Sequence, residues 1–156
     1  MPRFSAVRHV PYSVEQVFDI AGNVSDYGEF LPLVKRSVVT DLLIHAGGRR
    51  SFIADLHFFY GKLNISETLR SHVVVDPATC TVTATAREGP VRSLVAEWKI
   101  RKHGRDGAAI HFTVDYTLKS RGLQILLSGM FNILAGRIMT SFEARAKMLY
   151  GVPLSA

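Results

Sequence analysis

The 156-residue chain has a single cysteine, Cys80, and no long uninterrupted apolar run. One cysteine excludes an internal disulfide framework and a thiolate metal cluster. The longest uncharged apolar stretch lies between Arg121 and Arg137 and has fifteen residues, whereas a transmembrane helix needs about 20. The start of the chain, MPRFSAVRHV, lacks the apolar centre of a signal peptide. These absences predict a cytoplasmic protein, with peripheral contact to the inner membrane left open.

The basic residues form no long run, although the net charge is +6. They occur singly or in short groups such as Lys35-Arg36 and Arg49-Arg50, whereas a nucleic-acid-binding tail has about five or six consecutive like charges. Scattered charges usually only solvate a surface. The composition therefore argues against a dedicated nucleic-acid site, and an anionic partner such as RNA or a phospholipid surface stays open.

The sequence motifs of the common catalytic and metal sites are missing too. The glycines are dispersed, and AGGRR lies in a hairpin turn rather than between a strand and a helix, so no phosphate-binding loop is predicted. There is no Gly-x-Ser-x-Gly elbow. The six histidines show no metal-ligand spacing. The sequence therefore predicts a protein that is not an enzyme and holds no metal or cofactor.

The spacing of apolar residues predicts one α+β domain over residues 1–156. Ser13 and Gln16 form a capping box for the first of two short helices, which follow a strand near residues 4–10. A two-residue period then predicts strands at about 34–45, 50–60, 62–75, 80–87, 93–102 and 108–119. Helical spacing from Gly122 to Tyr150 predicts one long C-terminal helix. We expect a curved antiparallel sheet of about seven strands packed around that helix.

Three polar side chains lie at positions where the predicted strands are covered. Trp98 and Tyr116 share faces with apolar residues, and each needs a hydrogen-bond partner when buried. Glu67 has the same strand parity as Ile65 and Leu69, so a regular strand directs it inward. A buried carboxylate is costly unless it is paired. Three readings stay open: a bulge that turns Glu67 to solvent, an arginine partner, or a polar anchor inside a cavity.

Three separated motifs resemble those of the coenzyme Q-binding, START-type proteins of the polyketide-cyclase-like superfamily. YGEFLP, at residues 27–32, is similar to the Tyr-Pro-Glu-Phe-Leu-Pro signature of that family, with Gly28 in place of the proline. EGPVRSLVAEWKI resembles its Gly-Pro strand entry, and IHFTVDYTLKSRGLQILLSGMF resembles its last strand and long helix. The resemblance covers the chain from about Phe4 to Gly151.

The resemblance implies a helix-grip (START, Bet v1-like) fold that encloses a hydrophobic tunnel. It implies binding of ubiquinone or a similar polyprenylated quinone, as a carrier or chaperone that supports respiratory electron transport. The same family includes bacterial ribosome-association toxins, so a ribosome-binding regulator is the alternative, and a small-molecule cyclase of the same fold is a third. The residues expected to line the tunnel are Phe30, Leu31, Phe52, Leu56, Phe58, Glu67, Trp98, Phe112, Tyr116, Leu126, Met130, Phe131 and Leu134.

The first half of the C-terminal helix is apolar on nearly all sides. The helical spacing of Leu127, Met130 and Leu134 predicts that these three residues face the sheet. It does not predict what packs against Ile125, Phe131 and their neighbours on the other sides of the helix. Three coverings remain open: the contents of the tunnel, a membrane surface during lipid exchange, or a second copy of the chain in a homodimer. With the ribosome, these are the partners that the sequence predicts as alternatives.

Overall fold

The computed structural model describes residues 3–152, apart from the side chains of residues 63, 122–123, 126–132 and 135. Seven strands and three α-helices follow one another in the predicted order: one strand, two short helices, six strands and one long helix. The strands are β1 Arg3–Val10, β2 Val34–Ile44, β3 Arg50–Tyr60, β4 Ile65–Asp76, β5 Thr81–Ala86, β6 Val91–His103 and β7 Gly107–Leu118. The helices are α1 Val14–Gly22, α2 Tyr27–Phe30 and α3 Arg121–Tyr150, and short 3-10 turns span Val24–Asp26, Ala46–Gly48 and Gly61–Leu63.

All seven strands form one antiparallel sheet in the order β1-β7-β6-β5-β4-β3-β2. Neighbours along the chain are neighbours in the sheet, except that β1 pairs with β7. The predicted meander with a C-terminal helix is confirmed. The predicted start of β4 at residue 62 was too early, because residues 61–63 form a 3-10 turn and Asn64 takes a left-handed φ of 53°.

The capping box predicted for α1 is confirmed. The Ser13 hydroxyl accepts a hydrogen bond from the backbone N–H of Gln16, whose side chain accepts one from the backbone N–H of Ser13. Such reciprocal bonds satisfy two backbone donors that a helix start leaves without partners. The helix buries Val17, Ile20 and Ala21 against the sheet.

Helix α2 lies directly on β2 because residue 28 is a glycine. A Cβ atom at Gly28 would stand 3.1 Å from the Arg36 Cα atom and 3.2 Å from the Ser37 nitrogen. The Gly28 N–H also donates a 3.1 Å hydrogen bond to the Ser37 hydroxyl. Proline, the residue of the family signature at this position, lacks that N–H. Glycine therefore allows both the close contact between α2 and β2 and the hydrogen bond to Ser37.

The tightest part of the core lies at the end of the sheet where α1 meets the second half of α3. Val75, Ile100, Ile110 and Phe142 are each at most 1% exposed there, and α1 packs beside them. Side chains fill this end. The opposite end of the sheet, where β7 leads into α3, is where the strands enclose space instead.

Candidate ligand cavity

A cavity of about 210 Å³ lies on the covered face of the sheet. The sheet supplies most of its wall, while the 3-10 turn Val24–Asp26, α2, the segment after it and α3 supply the rest. The residues that line it are Phe4, Val24, Tyr27, Leu31, Pro32, Val34, Leu56, Phe58, Leu69, Ser71, Val73, Val82, Ala84, Val91, Leu94, Ala96, Trp98, Phe112, Val114, Tyr116, Leu118, Leu134 and Ile138. None of these described residues carries a formal charge.

The space exists because small residues align across the middle of the sheet. Val73 pairs with Ala84, Ala84 with Ala96, and Ala96 with Val114 in successive antiparallel ladders. This small-residue row runs across four neighbouring strands. Directly opposite residues on one face of an antiparallel pair have Cβ atoms about 5 Å apart, so the short side chains leave one continuous hollow above the row.

Stacked aromatic rings separate the cavity from the packed end of the core. The Trp98 and Phe112 ring centroids are 4.0 Å apart with an interplanar angle of 23°. The ring of Phe142, from α3, has its centroid 4.3 Å from that of Trp98 with an interplanar angle of 32°. The same ring meets that of Phe30 edge-on, with centroids 5.5 Å apart. Trp98 and Phe112 thus present ring surface to the cavity, and Phe142, which is not in the lining, packs against Trp98.

The cavity wall carries a few hydroxyl groups. Tyr27 is 5% exposed, and its hydroxyl donates to the Ala21 carbonyl oxygen at the end of α1. Burial raises the pKa of the Tyr27 phenol well above its usual value, and the neighbouring Trp98 indole opposes that shift in part. Partial burial also raises the pKa of Tyr116. Ser71 is buried in the same wall.

Replacing Tyr27 with phenylalanine is expected to change how stability depends on alkaline pH. The folded-state pKa of Tyr27 lies above the unfolded value of 10.0, so its contribution is complete below about pH 10 and is lost as the pH rises above that. Between about pH 8 and about pH 11 the wild type should lose about 1.4 kcal/mol that the Tyr27→Phe variant does not lose. Urea unfolding at the two pH values measures this difference.

Tyr150→Phe is the control for that experiment. Tyr150 is 38% exposed, so its removal should leave most of the alkaline loss in place. At neutral pH the Tyr27→Phe variant should be about 1 kcal/mol less stable, because the hydrogen bond to Ala21 is gone. An identical pH dependence in wild type and Tyr27→Phe would show that Tyr27 is not buried as a phenol.

The structure brings together seven of the residues that sequence reasoning placed in the tunnel: Leu31, Leu56, Phe58, Trp98, Phe112, Tyr116 and Leu134. Phe52 lies in the packed core and Phe30 packs on Phe142, so both stand outside the described lining. Leu126, Met130 and Phe131 lie outside the described side chains. The predicted orientation of Leu127 toward the sheet lies outside them as well.

Glu67 is neither turned to solvent by a bulge nor paired with an arginine, the first two of the three readings that the sequence left open. It pairs in regular register with Phe58, with no bulge in the β3–β4 ladder. No arginine forms an ion pair with it among the residues that the structure describes. Its carboxylate instead accepts a hydrogen bond from the Ser120 hydroxyl, at the junction of β7 and α3. Glu67 therefore ties the start of α3 to the sheet and is not part of the described cavity lining.

Sequence reasoning missed more than half of the lining residues, including large ones such as Phe4, Tyr27 and Leu94. It also left out Ser71, Ala84, Ala96 and Val114. Strand parity places each of these four on the covered face, and that signal was available from the sequence. What the sequence does not show is that the ladders align Ala84, Ala96 and Val114 with Val73 into one row.

Two absences hold for the part of the chain that the structure describes. No group of three or more histidine, cysteine, aspartate or glutamate side chains is arranged to hold a metal ion. In the same residues, no helix has both the length and the apolar character needed to cross a membrane.

Comparison with known proteins identifies the family to which this fold and cavity belong. The model of the polyketide cyclase/dehydrase and lipid transport family matches residues 10–143, which span both short helices, the whole meander and most of α3. This chain belongs to that family. The family's description covers both enzymes and lipid transport proteins. Membership therefore establishes the architecture but does not choose between these activities.

Two curated relatives carry different functional names. The ribosome association toxin RatA of Escherichia coli K12 is 25% identical over 150 residues, which are 96% of this chain and 90% of that protein. The mitochondrial coenzyme Q-binding protein coq10 of Schizosaccharomyces pombe is 29% identical over 93% of this chain and 87% of its own length. Neither name describes an enzyme.

A solved structure confirms the predicted fold. The START superfamily protein from Mycobacterium smegmatis superposes with a TM-score of 0.75 at 17% identity, over 94% of this chain and 98% of that one. At that identity the likeness speaks for the fold alone. The predicted START-type helix-grip architecture is therefore confirmed, and so is the resemblance to proteins named for coenzyme Q binding and for ribosome association.

Proposed function

We propose that this chain binds ubiquinone or a related polyprenylated quinone in the cavity and carries it in support of respiratory electron transport. The observation that carries the proposal is the cavity itself, which is uncharged, largely apolar and walled by stacked aromatic rings. The 29% identical relative named for coenzyme Q binding supports the same ligand class.

The size of the cavity suits a substituted aromatic or quinone ring. An apolar cavity of about 150 Å³ suffices to bind benzene, and this one measures about 210 Å³. A tail of several isoprene units is too long for that volume, so part of it must lie outside the cavity as described. We therefore assign the cavity to the head group and the first part of the tail.

The wall offers suitable contacts for such a head group. Each square ångström of apolar surface removed from water contributes about 25 cal/mol, and offset ring stacking adds about 1 kcal/mol. Trp98 and Phe112 supply the ring surfaces. Ser71 and Tyr116 carry hydroxyl groups, the kind of donor that hydrogen-bonds to quinone carbonyl oxygens and fixes orientation in a mostly apolar pocket.

Organic extraction of the purified protein tests the proposal directly. Protein expressed in a ubiquinone-producing bacterium should release close to one quinone per chain, identified by mass spectrometry. A Trp98→Leu variant should fold and release much less, because the ring surface at the cavity wall is gone. Protein that is free of quinone and of other lipids, and takes up none when ubiquinone is added, would refute the carrier role.

Ribosome binding is the second candidate, and two observations favour it. The relative RatA is named a ribosome association toxin, and the net charge of +6 suits an RNA surface. Cosedimentation with large ribosomal subunits tests it. Specific binding should persist at physiological salt, whereas binding that disappears on a modest rise in salt reflects non-specific attraction to phosphates.

A further inference from the structure

The net positive charge is concentrated at one end of the molecule. Seven basic residues lie where the strands end next to the start of α3, a set that we call the basic end: Lys35, Arg36, Lys62, Arg87, Arg92, Lys119 and Arg121. Glu67 and Glu88 bring negative charge to the same end, and so does Glu29, which follows the Gly28 that lies against Arg36. With seven basic and three acidic residues, the basic end carries four of the six net charges, and the rest of the chain carries two.

The basic residues at this end are not neutralised by neighbours. Some basic residues elsewhere form ion pairs, as in the Arg70–Asp55 pair at 2.8 Å and the Arg8–Glu143 pair at 2.8 Å. Among the described residues, no member of the basic end forms an ion pair. All seven side chains are exposed, so their charge is available to an external partner.

Exposed apolar side chains lie among these charges. Phe59, next to the last residue of β3, is 44% exposed, and Ile125, in the second turn of α3, is 59% exposed. The Lys35 ammonium lies 4.9 Å from the centre of the Phe59 ring. Cationic groups mixed with exposed aromatic and aliphatic side chains are typical of surfaces that enter the headgroup region of a bilayer.

The cavity extends toward the same end. Val34, Val91 and Leu118 line it, and each is the first or last residue of its strand at the basic end. At the other end of the sheet, Ile100 and Ile110 fill the core. A ligand that moves between the cavity and a surface therefore has its shortest route through the basic end.

We propose that the basic end is a docking surface for an anionic phospholipid bilayer, where a lipophilic ligand passes between membrane and cavity. The proposal rests on the proposed lipid-binding function. Lysine and arginine attract the anionic headgroups, and Phe59 and Ile125 enter the interface below them. A bilayer fits better than RNA because an aliphatic side chain such as Ile125 gains by burial in acyl chains and has no equivalent partner on a phosphate backbone.

Flotation with phospholipid vesicles tests the docking surface without reference to any quinone. Wild-type protein should float with vesicles of phosphatidylcholine and phosphatidylglycerol and much less with phosphatidylcholine alone. A Lys62→Gln, Arg121→Gln double variant should bind the anionic vesicles on the order of twentyfold more weakly, since each basic residue near the surface contributes about fivefold. Ile125→Ser should weaken binding further.

Matched variants at the opposite end provide the controls. Arg49→Gln with Arg105→Gln removes the same charge, and Ile44→Ser removes an isoleucine that is 70% exposed; both should bind vesicles as the wild type does. Equal losses at the two ends, or no preference for anionic vesicles, would overturn the proposal. So would a Lys62→Gln, Arg121→Gln variant that loses ribosome binding and keeps vesicle binding.

The vesicle result and the quinone result can fail separately. If the protein floats with anionic vesicles but releases no quinone, the docking surface is supported and the quinone proposal is refuted. If the protein releases quinone but does not float, quinone binding is supported and the docking surface is refuted. The two measurements therefore distinguish the two claims.

Discussion

An Ala96→Phe variant is expected to lose quinone retention by about tenfold or more while it remains folded. Ala96 lies at the centre of the small-residue row, paired with Ala84 on one side and Val114 on the other. A phenyl ring at this position enters the cavity, which holds about 210 Å³, and competes with the ligand for the same volume. Steric overlap of this kind costs about 1–3 kcal/mol, and 1.4 kcal/mol is about a tenfold change in affinity.

The matched control is Val95→Phe, one residue away. Val95 is 44% exposed and points to the other face of the sheet, so its enlargement leaves the cavity open and retention unchanged. Unfolding by urea should show that Ala96→Phe is as stable as the wild type or about 1 kcal/mol more stable, because the ring fills space. Undiminished quinone release from a folded Ala96→Phe protein would place the ligand elsewhere.

A Phe142→Ala variant is expected to lose about 3–5 kcal/mol of unfolding free energy. Phe142 is 1% exposed and joins α3 to the sheet through Trp98 and to α2 through Phe30. Its removal leaves a hole at the packed end that three separate elements would have to close. The measurement is the urea dependence of tryptophan fluorescence, since Trp98 is the one tryptophan of the chain.

Met148→Ala, on the same helix, is the control for Phe142→Ala. Met148 is 65% exposed, and a surface truncation should change stability by about 0.5 kcal/mol or less. If Phe142→Ala does not fold, Phe142→Leu keeps most of the volume and should cost about 1–1.5 kcal/mol. Equal stabilities for Phe142→Ala and Met148→Ala would contradict the role of Phe142 as the link between α3 and the sheet.

Local features of the fold were predictable because short-range physics sets them. The Ser13–Gln16 capping box starts α1 as predicted, and the two-residue period locates every strand of the meander. Strand ends were harder to predict, as at residues 61–64, where a 3-10 turn and a left-handed Asn64 delay β4. Turns of this kind depend on the geometry of the neighbouring strands as much as on their own residues.

The candidate site was predictable only in part. Parity identified which residues face the helix, and seven of the expected residues do line the cavity. Strand parity places Phe52 on the same face of β3 as Leu56 and Phe58. It did not show that Phe52 lies in the packed core while Leu56 and Phe58 line the cavity. The difference is position along the strand, because α1 and Phe142 fill one end of the sheet and leave the other end hollow.

The sequence by itself determined the order of elements, the covered face of each strand, the family motifs and the total charge. Only the tertiary structure decided where there is space and where the charge lies. Ala84 and Ala96 are unremarkable until the ladder pairs them, and Glu67 pairs with Ser120 across 53 positions of the chain. The basic residues are scattered along the sequence but meet at one end, since an antiparallel meander brings alternate turns to the same edge.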